Sequence, residues 1–307
     1  PYTTLFRAGR INRDDFCGGE VVADMNAAET ALADLAARLN ISTDEAARGV
    51  VRIANNNMVN ALKLVSLNRG HDPRDFTLVV FGGGGPMHGV ALGQELGVKK
   101  VVIPAGASVF SAWGMMMSDL RRDYFVTRLA TLETGAAEGI EAAFAASETQ
   151  ARAQFVTEGV AADKVKLSRF GKFRYQNQEH TVEVPLSGPV TDAGLARITA
   201  DFHSTYEREY TYRLNAPVEM VGLHVIATAE VGKLTMTATP EGSPDAAPAV
   251  KGKRPVDYAL EGVHEATIYD GTRLAPGMTF DGPAVVEDPG TTIVFHPGNR
   301  AKIDGFG

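Results

Sequence analysis

One cysteine, Cys17, is the only thiol in this chain of 307 residues. No disulfide framework can form within the chain, and a reducing, cytoplasmic compartment is expected. No apolar run approaches the roughly 18 residues that a membrane-crossing helix needs, and no signal peptide is visible. Basic residues are outnumbered, 30 Lys and Arg against 37 Asp and Glu, for a net charge of −7. With no basic stripe interleaved with aromatics, nucleic-acid binding is not expected. No lysine-serine pair follows the glycine run of this chain, which excludes a P-loop. The histidines are scattered, with no pair at the i, i+4 spacing of a helical metal site, so no metal held solely by this chain is expected. Cys17 itself is read as non-catalytic.

What is present is ordinary globular composition, 44% hydrophobic and 22% charged. The length fits about two domains at about 150 residues each. Residues 26–40 read as an alanine-rich helix. A longer one follows, capped by Ser42 or Thr43, with Asp44 and Glu45 in its first turn. Inside it stand Asn55, Asn56 and Asn57, poor helix formers. They read either as a solvated face with one buried hydrogen bond or as contacts to a ligand or partner. Asp72 and Arg74 read as an ion pair bracing the turn into the next strand. Residues 108–122 read as an apolar helix, with Met115–Met117 in the core. Residues 134–162 read as another helix. Alternation over 166–186 predicts a hairpin turning near 176–178, followed by a capped helix and a strand. Residues 236–252 are rich in Pro, Ala, Ser and Gly, as linkers are. Beyond them Asp-Gly and Pro-Gly turns punctuate short strands. The division expected is therefore 1–128, 129–235 (α+β), a linker over 236–255, and a small all-β module at 256–307.

"VVFGGGGPMHG", residues 79–89, is the most informative stretch. A strand runs into Gly82, Gly83, Gly84 and Gly85, then a helix opens with Pro86 and His88, and a second strand follows. This order predicts a parallel β-α-β crossover. A helix N-terminus offers unpaired N–H groups and a partial positive charge, and absent side chains let a phosphate or sugar reach them. The alternative is a tight turn with close packing.

The longer pattern, a glycine turn followed by a helix carrying Ala112 and Gly114, resembles the second ATPase lobe of the actin, Hsp70 and sugar-kinase superfamily, a ribonuclease H-like α/β fold. A more specific resemblance covers nearly the whole chain. "NRGHDPRDFTLVVFGGGGPMHGVALGQELGVKKVVIPAGASVFSAWGMMMSDLRRDY" is similar to the hydantoinase A and 5-oxoprolinase family pattern GxDPRxFxLxxFGGAGPLHA, then PxxPGxxSAxGLLxADxRxDY. Gly84-Gly85 replaces the commoner Ala-Gly, and Gly106-Ala107 stands where Pro-Gly is usual. "FRYQNQEHTVEV" resembles the family's Arg-Tyr-x-Gly-Gln segment, with Asn177 in place of glycine. "FHSTYEREYTYRL" and "DGPAVVEDPGTTIVFHPGNRAKIDGFG" resemble its C-terminal stretches.

The resemblance implies an ATP- and Mg²⁺-dependent enzyme subunit that activates a cyclic amide for hydrolysis, with a small-molecule substrate and a B-type partner subunit in a hetero-oligomer. An ATP-dependent ketone carboxylase of the acetone or acetophenone type fits as an alternative. It implies that Gly82, Gly83, Gly84, Gly85, Pro86 and His88 bind the nucleotide. It names no catalytic residue here. The family's Asp-x-Gly-Gly-Thr phosphate loop is not found, and the chain starts at Pro1. The expectation is a C-terminal portion of a longer subunit, whose N-terminal ATPase lobe is missing and which is inactive alone. A second reading makes the chain a non-catalytic module that docks the B-type partner. A blocked glycine cleft and an exposed apolar patch over 255–305 would favour it.

Overall fold

The computed structural model describes residues 2–14, 16 and 18–307. Cys17 lies outside the described residues. The chain forms two compact units. The first unites Pro1–Met116 with Thr235–Gly307, and the second is Met117–Leu234.

The first unit begins with α1 (Tyr2–Arg7), α2 (Met25–Leu39) and α3 (Thr43–Val65). Their ends are chemically specified. Asp24 caps α2 by accepting from the Ala27 amide at 2.9 Å, and Asn40 closes it in the left-handed region. Ser42 and Glu45 form a reciprocal capping box on α3, each side chain accepting from the other's backbone N–H. Asp72 pairs with Arg74 at 2.6 Å and accepts from its amide, which fixes the turn ahead of the next strand. Then β1 (Leu78–Val79), α4 (Pro86–Leu96) and β2 (Val101–Val102) make the expected crossover, Leu78 pairing with Val101 in parallel. The short helix α5 (Phe110–Met117) follows.

The predicted helix over 108–122 ends early. The second unit opens with β3 (Leu120–Thr131), because residues 120–131 pair along their length with the strand β6 (Val218–Ala229). A long cross-strand ladder outweighs the helical spacing of the last apolar residues. Nor are Met115 and Met116 core residues: they are 79% and 58% exposed. The rest of this unit is α6 (Ala136–Thr157), β4 (Val165–Tyr175), β5 (Val182–Leu186) and α7 (Asp192–Tyr210). The antiparallel sheet has the order β3-β6-β4-β5. Both helices cover one face, where Phe144, Phe173, Tyr175, Phe202 and Tyr206 are fully buried. The β4–β5 hairpin turns as expected, with Asn177 at φ 64°. That is the backbone region where glycine is cheapest and asparagine next, which accounts for asparagine at this position.

The chain returns to the first unit through β7 (Val250–Asp257), β8 (Val263–Asp270), β9 (Thr279–Asp281), β10 (Ala284–Asp288), β11 (Thr291–Phe295) and β12 (Arg300–Lys302). They form a mixed sheet of order β11-β10-β8-β7 and the pair β9–β12. Val256, Ile268, Val285 and Val294 share one core with Leu5, Ile11, Val51 and Met87, so these strands pack against the N-terminal helices of the same unit. The whole is an α/β fold of helices and mixed sheets. Among the described residues no helix is long and apolar enough to cross a membrane.

Candidate functional site

The four glycines serve different purposes. Gly82 sits at φ +89°, a conformation that L side chains rarely adopt, and turns the chain out of the strand. Gly85 has ordinary helical angles but lies against backbone: a Cβ there would be 2.3 Å from the Phe81 carbonyl oxygen. The same demand recurs one and two turns on. A Cβ at Gly89 would meet Val80 at 2.9 Å, and one at Gly93 would meet Val101 at 2.5 Å. Glycines at 85, 89 and 93 thus let α4 lie directly on the strands. Gly83 and Gly84 are not crowded in this way, and Gly83 is exposed.

The hydrogen bonds of the turn set its polarity. The Gly82 N–H donates to the Ala107 carbonyl at 2.7 Å. The Thr291 hydroxyl, at the start of β11, donates to the Gly83 carbonyl at 3.0 Å and lies 3.4 Å from that of Gly82. In a planar trans peptide the N–H points opposite to the preceding C=O. With the carbonyls of Gly82 and Gly83 directed at Thr291, the N–H groups of Gly83 and Gly84 point the other way. No acceptor among the described residues meets the amides of Gly83, Gly84 or Gly85. Pro86 occupies the first position of α4, where a missing N–H costs nothing, and no side chain caps the helix. Three consecutive free amides at a helix start make a surface suited to an anion.

The opposite side is built differently. A cleft of about 320 Å³ is lined by Gly83, Met87, Asp270, Glu287, Asp288 and Thr291 among others. Its carboxylates are engaged: Asp270 accepts from Thr272, Glu287 pairs with Lys251 and Arg254, and Asp288 accepts from the Gly290 amide. Lys251 also lines this cleft, so its charge is mixed, with three carboxylates against one lining cation, whereas the amide side carries no carboxylate in the bonds described.

His88 is half-buried in the first turn of α4, and its Nδ1 lies 2.7 Å from Asn55 Oδ1. The amide oxygen accepts, so Nδ1 carries the proton. Burial, and then the charge of Arg10, push the His88 pKa down, so the ring is neutral at pH 7. Of the three asparagines in α3, Asn55 makes this part-buried bond, while Asn56 and Asn57 are exposed. The run thus carries one part-buried hydrogen bond and two exposed amide side chains, an arrangement that a solvated face and a contact to a partner share.

The structure brings Gly82–Gly85, Pro86 and His88 together at the start of α4. Ala112 and Gly114 lie on α5, whose Phe110 ring packs on Phe81 at 5.1 Å. Sequence reasoning missed Thr291 and Ala107. Neither carries a sequence signal, since a hydroxyl after a Pro-Gly turn and a backbone carbonyl are both commonplace.

Comparison with known proteins adds identity to this geometry. The chain is 32% identical over 308 residues to an uncharacterized protein of Methanocaldococcus jannaschii, covering 97% of this chain and 42% of that one. It is 32% identical over 296 residues to the caprolactamase subunit alpha of Pseudomonas jessenii, covering 94% of this chain and 42% of that subunit. The nucleotide-free structure of acetone carboxylase superposes with a TM-score of 0.82 at 26% identity, over 99% of this chain and 45% of that chain. The chain thus spans about two-fifths of the length of these two relatives. Residues 5–124 match the hydantoinase/oxoprolinase family, and residues 130–307 match the hydantoinase/oxoprolinase C-terminal domain. On these matches, which take in both units, the chain belongs to the hydantoinase/oxoprolinase family.

Proposed function

We propose that this chain is the C-terminal part of an ATP-dependent subunit that activates a cyclic amide for hydrolysis, and that its glycine turn holds the nucleotide. The observation that carries the reading is the row of unpartnered amides at Gly83, Gly84 and Gly85 leading into α4. Bound nucleotide would supply a phosphoryl group to the amide oxygen, which opens the amide carbon to attack by water and lets the oxygen depart as phosphate. The residues of this chain contribute position and charge. The free amides receive a phosphate oxygen, Gly83 and Gly84 keep the approach clear, and neutral His88 holds the first turn of α4 to α3 through Asn55. Mg²⁺ in such a site rides chiefly on the phosphates and water, with one or two protein carboxylates at most.

The reading takes the first unit as one lobe of an actin-like, ribonuclease H-like ATPase. Its counterpart lobe and a B-type partner subunit complete the enzyme, and this chain alone would bind nucleotide weakly and catalyse nothing. The names of the relatives support both an amide substrate, as in caprolactamase, and a ketone, as in acetone carboxylase. We place the amide first, and carboxylation of a ketone is the second reading on that account. The open side of the turn, with Gly83 exposed, favours nucleotide binding over a purely docking role.

The test is calorimetric titration of the purified protein, in its full natural length and with any co-purifying subunit, with ATP–Mg²⁺. A Gly84→Val variant runs beside it. A side chain there has room, its nearest neighbour being the Met87 methyl at 3.7 Å, yet it stands beside the free amides. Binding lost in a folded Gly84→Val protein supports the reading. Equal binding by both proteins refutes it.

A further inference from the structure

The tip of the β10–β11 hairpin, residues 288–292, lies against Ser108 and reaches the glycine turn. A Cβ on Gly290 would lie 2.2 Å from Ser108 Oγ, and one on Gly83 would lie 3.4 Å from the Gly290 carbonyl oxygen. Asp288 closes the tip by accepting from the Gly290 amide at 3.3 Å. Thr291 is 8% exposed, and its hydroxyl reaches the Gly83 carbonyl. The turn is thereby clamped on two sides, by Ala107 on the Gly82 N–H and by Thr291 on the two carbonyls. A glycine peptide has few steric barriers to flipping. A flip of the Gly83–Gly84 peptide would turn a carbonyl toward the side where an anion is to be held.

We propose that Thr291 is a positioning residue of the nucleotide site: its hydroxyl holds the Gly82 and Gly83 carbonyls toward the hairpin and so keeps the Gly83 and Gly84 amides presented to the phosphate. This rests on the glycine turn being the nucleotide site. It makes a residue about 200 positions further along the chain part of that site, consistent with the sequence separation of 208 between Thr291 and Gly83. It also gives the C-terminal strands a role in nucleotide affinity beyond packing.

The experiment titrates ATP–Mg²⁺ into the same full-length protein and three variants, Thr291→Val, Thr291→Ser and Gly84→Val, with thermal unfolding of each. Valine keeps the shape and removes the hydroxyl; serine keeps the hydroxyl. The expected result is affinity about tenfold weaker for Thr291→Val, of the order one lost positioning hydrogen bond gives. Thr291→Ser should stay within about twofold of the parent on the same scale. In turnover, the KM for ATP should rise while kcat at saturation holds. If Thr291→Val folds poorly, Thr291→Ala supplies the same comparison with a smaller side chain. Thr291→Val binding like the parent, while Gly84→Val does not bind, overturns this inference and leaves the nucleotide site standing. Thr291→Ser as weak as Thr291→Val overturns it too, since the hydroxyl is then not what matters. If Gly84→Val binds like the parent, the nucleotide reading fails and this inference with it.

Discussion

Gly85→Ala and Gly84→Ala are neighbouring, chemically identical changes with opposite expected outcomes. At Gly85 the added methyl would sit 2.3 Å from the Phe81 carbonyl oxygen, 3.2 Å from its carbon and 3.3 Å from Val80 Cγ1. Two of these atoms are backbone and cannot rotate away, so α4 must lift from the strands. Overpacking costs typically about 1–3 kcal/mol, and a backbone obstacle puts Gly85→Ala at the upper end. Reduced freedom of the unfolded chain returns only about 0.4–1 kcal/mol. The net expectation is a loss of about 2 kcal/mol, which for a unit of this size lowers Tm by roughly 4–8 °C. At Gly84 the nearest atom is the Met87 methyl at 3.7 Å, an ordinary contact, and φ is not positive. Gly84→Ala should therefore unfold at the parent temperature or up to roughly 3 °C above it. Calorimetric scans of the two variants and the parent decide the matter. Equal Tm values for Gly85→Ala and the parent, or equal losses in both variants, would refute the division of the run into crowded and open glycines.

Further expectations concern the second unit. The Tyr175 hydroxyl is fully buried, 2.8 Å from His203 Nδ1, and accepts from the Leu214 amide at 3.0 Å. Tyr175→Phe leaves that amide unpaired and should cost about 1–3 kcal/mol in urea unfolding with the m-value unchanged; parent-like stability would count against the bond. Arg169 is held by Glu148 and Glu141 and lies 5.1 Å from the Phe144 ring, with its side chain 14% exposed. Arg169→Ala strands two carboxylates and should cost about 3 kcal/mol, measured the same way, and a loss below about 1 kcal/mol would show the cluster to be solvated in effect. Arg121, and then His224, hold the Asp123 carboxyl at about 2, below its ordinary 3.8. A carboxyl with a depressed folded pKa contributes fully above its ordinary value, and the contribution is lost as pH falls toward 2. Asp123→Asn should flatten the loss of stability between about pH 4 and pH 2 followed by chemical denaturation, and an unchanged slope would refute the assignment.

The fold was legible wherever short-range chemistry decides. Ser42 followed three residues later by Glu45 specified the start of α3, and the strand–glycine–helix–strand order specified the parallel crossover. The alternation around Gln176–Gln178 specified the β4–β5 hairpin. Reading failed between residues 117 and 131, where partners distant in the sequence decide. Leu120–Thr131 becomes a strand because residues 218–229 pair with it, about a hundred positions away. The core that Val256 and Val285 share with Leu5 and Met87 was invisible for the same reason.

The site divides along the same line. A run of four glycines announces that side chains are unwelcome, but composition cannot say on whose account. One glycine answers to a backbone angle, another to the Phe81 carbonyl, and two stand open. The direction of the peptide planes is what separates an anion site from a tight turn, and it is fixed by Ala107 and Thr291, residues that look unremarkable in the sequence. A glycine run is permissive in either direction. The surrounding fold makes it selective by choosing which way its amides face, so the specificity of such a turn resides in its clamps, and substitutions at those clamps should change affinity without adding a single atom to the site.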